Sequence, residues 1–354
     1  MKYLKKRASF THHAAAPPAV SPPKVQNRLA PPAPAARKKL ISPADTDTLL
    51  HRSNPGFRVR NIGSVKDLKR IAIVGVGLLG GSVGLSLRAA GSGCTRIGIG
   101  RRRRSLDRAR RFDAVDQTTL SFARGLRDVE LVVLAAPLGR FEAMFAAMAP
   151  HLPPGCVVTD VGSTKVVPVR LAERLLPKEV SFVGAHPMAG SEKTGVEFSR
   201  ADLFAGAPCV VTPTHRTKPA ATRLVERFWR DLGCRVARMS PREHDLLVAR
   251  ISHVTHLAAA CVFLAGAKSG ALDLAGTGLM DTTRIASGDP GLWRDIFEFN
   301  RRPLVSAVDE LIALLQQAKQ ALTKGDQARL VALLSDAKRR RDAWIAKKLL
   351  AQPV

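Results

Sequence analysis

Hydrophobic positions along this chain follow two different periods. Between residues 70 and 240, short apolar runs alternate with helix-length segments: Ile71-Ala72-Ile73-Val74, Leu131-Val132-Val133-Leu134-Ala135-Ala136 and Val157-Val158-Thr159-Asp160-Val161. Comparable runs occupy residues 96–100, 182–185 and 209–212. Apolar runs of this length, closed by glycine or proline, predict buried parallel strands. With helices between them, one over 106–111, they predict an α/β fold: a Rossmann-type doubly wound parallel sheet over residues 69–240.

After Ser240 the strand pattern stops. Ser240-Pro241-Arg242-Glu243 combines a serine N-cap, proline at the first helical position and glutamate at the third, which predicts a helix start. The helix continues to Ala267, and further helical patterns cover 292–301, 304–324 and 327–348. Glycines and threonines at 275–283 predict a loop. Residues 241–350 therefore read as an all-helical second domain. Residues 1–68, rich in Ala, Pro, Lys and Arg with no apolar period, read as a disordered basic tail.

Composition refines this picture. At 45% hydrophobic residues the chain can bury a real core. No apolar run reaches the roughly 18–20 residues needed to span a bilayer, so a soluble protein without membrane contacts is expected. The five cysteines form no Cys-x-x-Cys pair, which fits a reducing, cytoplasmic setting without disulfides or a zinc knuckle. The tail lacks acids before Asp45, a slight likeness to an organelle transit peptide. Net charge is +27, and residues 1–70 hold 15 Lys or Arg against 3 acids. Such charge can attract nucleic acid nonspecifically. There is no nucleic-acid motif, and Tyr and Trp total four, so no specific nucleic-acid partner is expected. A phosphorylated cofactor and an anionic substrate use part of the charge.

The most specific local chemistry is Gly75-Val76-Gly77-Leu78-Leu79-Gly80 between the first strand and its helix. Gly75 permits the tight turn, Gly77 lets the backbone approach a pyrophosphate, and Gly80 lets the helix pack on the strand. The amides of Leu78 and Leu79 open a helix N-terminus that favours phosphate. An NAD enzyme usually ends its second strand in an acid that holds the ribose diol. Here Gly100 is followed by arginines at 101–104 and Ser105. Arg101, Arg102 and Ser105 suit a 2′-phosphate, so NADP is the expected cofactor, with NAD possible. Pro137, which stops the third apolar run, completes the expected cofactor contacts.

Three later segments carry candidate chemistry. Ser163 and Lys165, after the fourth run, offer a hydroxyl and an ammonium that could position an anionic substrate. His186, at a strand end and locked by Pro187, is placed for proton chemistry near neutrality. Asp281 and Arg284, three apart, could share a helix face, with Arg284 clamping a carboxylate; an internal ion pair is the plainer alternative. His253 and His256 could bind a metal by spacing, but no third ligand is evident, so no metal is expected and substrate contact or core packing is the reading.

Taken together, His186-Pro187-Met188-Ala189-Gly190-Ser191-Glu192, Ser252-His253-Val254-Thr255-His256, Asp281-Thr282-Thr283-Arg284-Ile285-Ala286 and Asp289-Pro290-Gly291-Leu292-Trp293-Arg294-Asp295-Ile296 resemble the prephenate and arogenate dehydrogenase family of tyrosine biosynthesis. The resemblance covers roughly residues 70–345. It implies hydride transfer from a cyclohexadienol to NAD(P), with loss of CO₂ and aromatisation. It implies that His186 accepts the ring hydroxyl's hydrogen bond, and eventually its proton, with Ser163 supporting that geometry. Arg284 would clamp a substrate carboxylate, with Asp281 holding the arginine or the local loop, while His256 lines the entrance and His253 supports it. The helical domain would form an intertwined homodimer. The arginines at 101–104 depart from the acid often found there in this family. The two-domain plan is also shared with hydroxyacid and imino-acid reductases. A noncatalytic nucleotide sensor has no need of the His186, Ser163 and Arg284 set.

Overall fold

The computed structural model describes residues 64–191 and 193–350. Most of the predicted basic tail therefore lies outside the described residues. Its last five residues do not: Ser64 caps a short turn at Val65–Asp67, and Val65 and Leu68 are buried in the core.

Eight strands form one sheet: β1 (Arg70–Val74), β2 (Thr95–Ile99), β3 (Gln117–Thr119), β4 (Leu131–Leu134), β5 (Val157–Asp160), β6 (Ser181–Pro187), β7 (Pro208–Thr212) and β8 (Arg235–Arg238). Their spatial order is β3-β2-β1-β4-β5-β6-β7-β8. The connections reverse direction between β1 and β4, which opens a crevice at the carboxyl ends of those two strands. The helices α1 (Leu78–Ala89), α2 (Arg103–Arg111), α3 (Phe122–Gly125), α4 (Phe141–Met148), α5 (Val166–Leu175) and α6 (Pro219–Asp231) connect the strands. Buried side chains divide into two clusters, one containing Ile71, Ile73 and Val133, the other Ala72, Val74, Val132 and Leu134. Alternate residues of β1 and β4 thus face opposite layers, as a sheet covered on both faces requires.

Three features differ from the sequence expectation. The edge strands β3 and β8 were not predicted: Gln-Thr-Thr is polar and only partly buried, and Arg-Val-Ala-Arg is mostly exposed with arginine at both ends, so neither carries an apolar run. The sheet is not wholly parallel, because β6 pairs antiparallel with β7. The predicted loop at 275–283 contains a short helix, α9 (Thr277–Thr283).

The helical part begins with α7 (Pro241–Val248), started by the expected Ser240–Glu243 capping box. A π turn, Ala249–His253, joins it to α8 (Val254–Ala267). Then α9 is followed by α10 (Pro290–Phe299), α11 (Arg301–Lys324) and α12 (Gln327–Leu350). Against expectation, the helix Pro241–Ala267 is long and apolar enough to cross a bilayer by length and composition. Within the fold its His253 and His256 are buried and its outer face shows Phe263 and Leu264.

Glycine is required at two places in the first crossover. Gly75 adopts φ +91°, and a methyl on Gly80 would lie 2.1 Å from the Gly75 carbonyl oxygen. Gly80→Ala should therefore push α1 off β1 and cost about 1–3 kcal/mol, with weakened nucleotide binding. Thermal unfolding and nucleotide titration check this; an unshifted transition with full binding would contradict the close-packing argument.

Candidate active site

Gly75 donates its N–H to the Ile99 carbonyl and Ala135 donates to that of Val74, each at 2.8 Å. These bonds hold the glycine turn, the end of β2 and the end of β4 around one cleft of about 660 Å³. Gly75, Gly77, Arg101, Arg102, Ser105 and Pro137, all singled out by sequence, line it; Leu78, Leu79 and Gly80 lie behind it at the start of α1. Sequence reasoning did not find Arg140, Ala136 and Met144, which also line the cleft. Nothing lies within 4 Å of where a Cβ of Gly77 would stand, and no side chain caps α1. The turn thus leaves room for a phosphate against open helix amides, so the residues fit a dinucleotide. Among the described residues no carboxylate lines the cleft at the end of β2, and Arg101 and Arg102 are exposed there.

A second cluster lies farther along the carboxyl edge. β6 runs parallel to β5 only as far as Val183, opposite Thr159. From Gly184 to Pro187 it pairs only with β7, with His186 opposite Val210. This overhang carries His186 past the end of β5. The missing ladder contacts are supplied by side chains. Asp160 Oδ1 accepts the Ala185 N–H at 3.0 Å, and Lys165 Nζ donates to the Ala185 carbonyl at 2.8 Å. Lys165 and Asp160 pair with each other and are fully buried. Asp160 Oδ2 also accepts the Gly162 N–H at 2.9 Å. One carboxylate thus fixes the residue before His186 and the residue before Ser163. The sequence reading of Lys165 as a substrate contact is corrected: its ammonium is consumed by Asp160 and Ala185.

His186 is half-buried and its Nδ1 lies 2.8 Å from His244 Nε2. His244 Nδ1 lies 2.8 Å from Asp245 Oδ1. Asp245 further accepts the N–H groups of Lys165 (2.7 Å) and Val166 (2.9 Å), at the opening of α5. Burial first, then His244, Lys165 and His253, holds the His186 imidazole well below its ordinary value, so it is neutral. Burial also lowers His244, against the opposing pull of Asp245. Sequence reasoning read residues 244 and 245 only as part of a helix. An adjacent His-Asp pair on the buried face was the available signal.

His253 is buried, with its Nδ1 3.0 Å from Asn300 Nδ2, which also donates to the Asp245 carbonyl at 2.8 Å. His256 stacks on Trp293, with ring centroids 3.6 Å apart and planes at 14°. His253 Nε2 and His256 Nδ1 are buried without a hydrogen-bond partner among the described residues, which leaves unused hydrogen-bonding capacity on both rings. The π turn sets this arrangement. Eight residues of regular helix would place Asp245 and His253 about 80° apart; one extra residue in the turn reduces that to about 20°. Arg284 opens the turn Arg284–Ser287 after α9 and is exposed, as is Asp281. No hydrogen bond or ion pair joins Asp281 to Arg284 among the described residues, so the shared-face pairing is not formed. The turn ends at Gly288, where a methyl would meet Trp293 and His256. The end of this turn thus lies beside His256.

The two clusters are joined. Leu138, following Pro137, packs on Gly162, and Gly190, beyond His186, approaches Leu79 at the start of α1. Asp295 accepts the Gly139 N–H at 3.1 Å and so ties the loop after β4 to α10.

Comparisons with known proteins cover both the sheet and the helical part of the chain. The family model described as "Prephenate dehydrogenase, nucleotide-binding domain" matches residues 83–238, and that described as "Prephenate dehydrogenase, dimerization domain" matches residues 240–336. The chain is 32% identical over 278 residues to a prephenate dehydrogenase of Bacillus subtilis, covering 77% of this chain and 75% of that one. It is 32% identical over 269 residues to a cyclohexadienyl dehydrogenase of Zymomonas mobilis, covering 73% and 90%. Among solved structures, prephenate dehydrogenase from A. aeolicus in complex with hydroxyphenyl propionate and NAD+ matches with a TM-score of 0.73 and 32% identity, over 78% of this chain and 98% of that one.

The buried histidines give the site a pH signature. Burial holds His253 at about 4 against an ordinary 6.5. A histidine whose folded value is depressed costs nothing above its unfolded value. Below it the unfolded chain takes up the proton first, so stability falls as pH falls. The unfolding free energy should therefore decline between pH 6.5 and 4, with His253 alone accounting for about 3 kcal/mol. Urea unfolding across that range should show a shallower decline for His253→Gln; equal slopes would count against a neutral, buried His253.

Proposed function

The chain belongs to the prephenate dehydrogenase family, and from that premise we propose that His186 is the proton acceptor, and Arg284 the carboxylate clamp, of its active site. The enzyme is an NAD(P)-dependent dehydrogenase that oxidatively decarboxylates prephenate or arogenate, giving 4-hydroxyphenylpyruvate or tyrosine. The observation that carries the residue assignment is a neutral His186 projected beyond β5, its strand tied through Asp160 to the loop that bears Ser163.

The nicotinamide cofactor, when bound, supplies the hydride acceptor. Gly75 and Gly77 with the first amides of α1 hold its pyrophosphate. Arg101, Arg102 and Ser105 hold a 2′-phosphate, which makes NADP the preferred form. His186 receives the hydroxyl proton of the ring as hydride leaves the same carbon, and Ser163 supports that hydroxyl. Arg284 holds a carboxylate, while His256 and Trp293 wall the ring. Residues 69–240 serve as the nucleotide-binding unit and 241–350 as the helical unit. The apolar side chains of Phe263, Leu264, Leu314, Leu315 and Leu322, exposed in a single chain, pack against a second copy in a homodimer.

A spectrophotometric assay crossing prephenate and arogenate with NAD and NADP tests the assignment. NADP should be the better acceptor; a strong NAD preference would remove Arg101 and Arg102 from the proposed role. In the same assay His186→Asn should keep cofactor binding but lose ~10² to 10⁴ in turnover, whereas Arg284→Ala should chiefly raise KM for the substrate. Unchanged turnover in the first, or an unaltered KM in the second, would strike that residue from the site.

A further inference from the structure

We propose that His244 and Asp245 are a positioning pair that fixes the tautomer of His186, leaving its Nε2 bare toward substrate, and lets His186 hold the substrate's hydroxyl proton until the aromatised product reclaims it. The inference rests on the reading of His186 as proton acceptor and extends it to two residues not yet given a part in the reaction.

The assignment follows from counting donors. An ionised carboxylate only accepts, so the 2.8 Å contact between Asp245 Oδ1 and His244 Nδ1 requires the proton on His244 Nδ1. Neutral His244 then has a bare Nε2, which can only accept. The 2.8 Å contact with His186 Nδ1 therefore requires the proton on His186 Nδ1. Neutral His186 is left with its lone pair on Nε2, as a base needs. The two rings cross at 71° with centroids 5.1 Å apart, so they meet through a nitrogen at the ring edge and not by stacking.

The far end of the chain is firmly anchored. Asp245 accepts two backbone N–H groups at the opening of α5 in addition to His244. Three donors on a carboxylate with only 2% exposed side chain offset much of its desolvation, and the helix N-terminus favours its charge. Among the described residues, the other charged or titratable groups around His186 are Lys165, His253, the Cys209 thiol against its backbone and, behind Lys165, Asp160. The Lys165 ammonium is paired with Asp160, and what remains of its field, with that of His253, opposes a positive charge on His186.

The proton balance of the reaction suits a closed chain of this kind. The C–H electron pair leaves with hydride to the nicotinamide, and the O–H proton goes to His186 Nε2. The bonding pair between the ring and its carboxylate then flows into the ring as CO₂ departs. The oxygen, now phenolate, takes the proton back. No proton needs to reach solvent, and His244 and Asp245 are both buried. During the interval His186 carries two N–H groups, and its Nδ1–H is already directed at the His244 lone pair. Burial opposes that charged form, which favours prompt return of the proton.

If the pair were only structural, with Asp245 capping α5 and His244 filling space, its removal would alter stability but not the tautomer or the chemical step. The test uses the full-length enzyme labelled with ¹⁵N-histidine and saturated with NADP. The His186 signals, assigned by their loss in His186→Asn, should show Nδ1 protonated and Nε2 bare. His244→Phe should lower kcat about 10²-fold with KM values within threefold, while His244→Gln, whose amide oxygen can accept from His186, should recover at least tenfold of that loss. A bare Nδ1 in the wild type, or wild-type kcat in His244→Phe beside an impaired His186→Asn, would overturn the proposal. The wild-type tautomer decides the matter even if His244→Phe does not fold. Wild-type turnover in His186→Asn would instead overturn the base assignment beneath it.

Discussion

The site depends on a buried ion pair that stands in for a strand. Where β5 ends, β6 continues without a parallel neighbour, and the N–H and C=O of Ala185 would face an unfilled ladder. Asp160 accepts the first and Lys165 donates to the second. A buried pair seldom adds net stability over apolar packing, but leaving either partner alone in a dry interior is costly. What the pair contributes is position. It allows β6 to extend beyond the sheet while remaining rigid, and that overhang is where His186 stands. Through Gly162 the same carboxylate fixes the approach to Ser163. Without it, the two loops would have no common reference point.

The nucleotide cleft and the His186 cluster are assembled from different stretches of the chain by small contacts. The loop after β4 lies on Gly162 on one side and is held by Asp295 of α10 on the other. The helical part thereby reaches the nucleotide cleft through one hydrogen bond. It reaches the proton site through His244, Asp245 and Asn300. Asn300 bonds both Asp245 and His253 from the junction of α10 and α11, so four helical segments share the task of holding two histidines.

Much of this was legible in the sequence, and the unread parts have physical causes. The central strands and the start of α7 announced themselves because burial on two faces and helix capping leave strong local signals. The glycine turn was readable because only one residue type suits its backbone. β3 and β8 were not, since a short polar edge strand has no hydrophobic period. The candidates His186, His253 and His256 were found by residue type and by resemblance. Asp160, His244, Asp245 and Asn300 were missed because their roles arise from contacts spanning 25 to 80 residues of sequence. Lys165 was misread for another reason: its partner Asp160 is only five residues away, but whether an ammonium after a strand turns inward is decided by the surrounding fold and not by spacing. The absence of a bond between Asp281 and Arg284 shows that a three-residue spacing is insufficient when the helix ends between them.

The π turn at Ala249–His253 has a consequence for how this enzyme can change over time. It joins two lengths of helix with different obligations: the first faces the sheet and the second bears an apolar outer surface. Each face can accept substitutions independently, residue for residue. The turn holds one residue more than regular helix needs, so losing that residue would let the segment close into α-helix with its two halves facing as before, whereas a deletion elsewhere in the helix would turn everything beyond it by roughly 100°. Along this helix, then, the π turn is the one stretch where a residue can be lost without re-aiming the histidines, and length elsewhere in it is constrained.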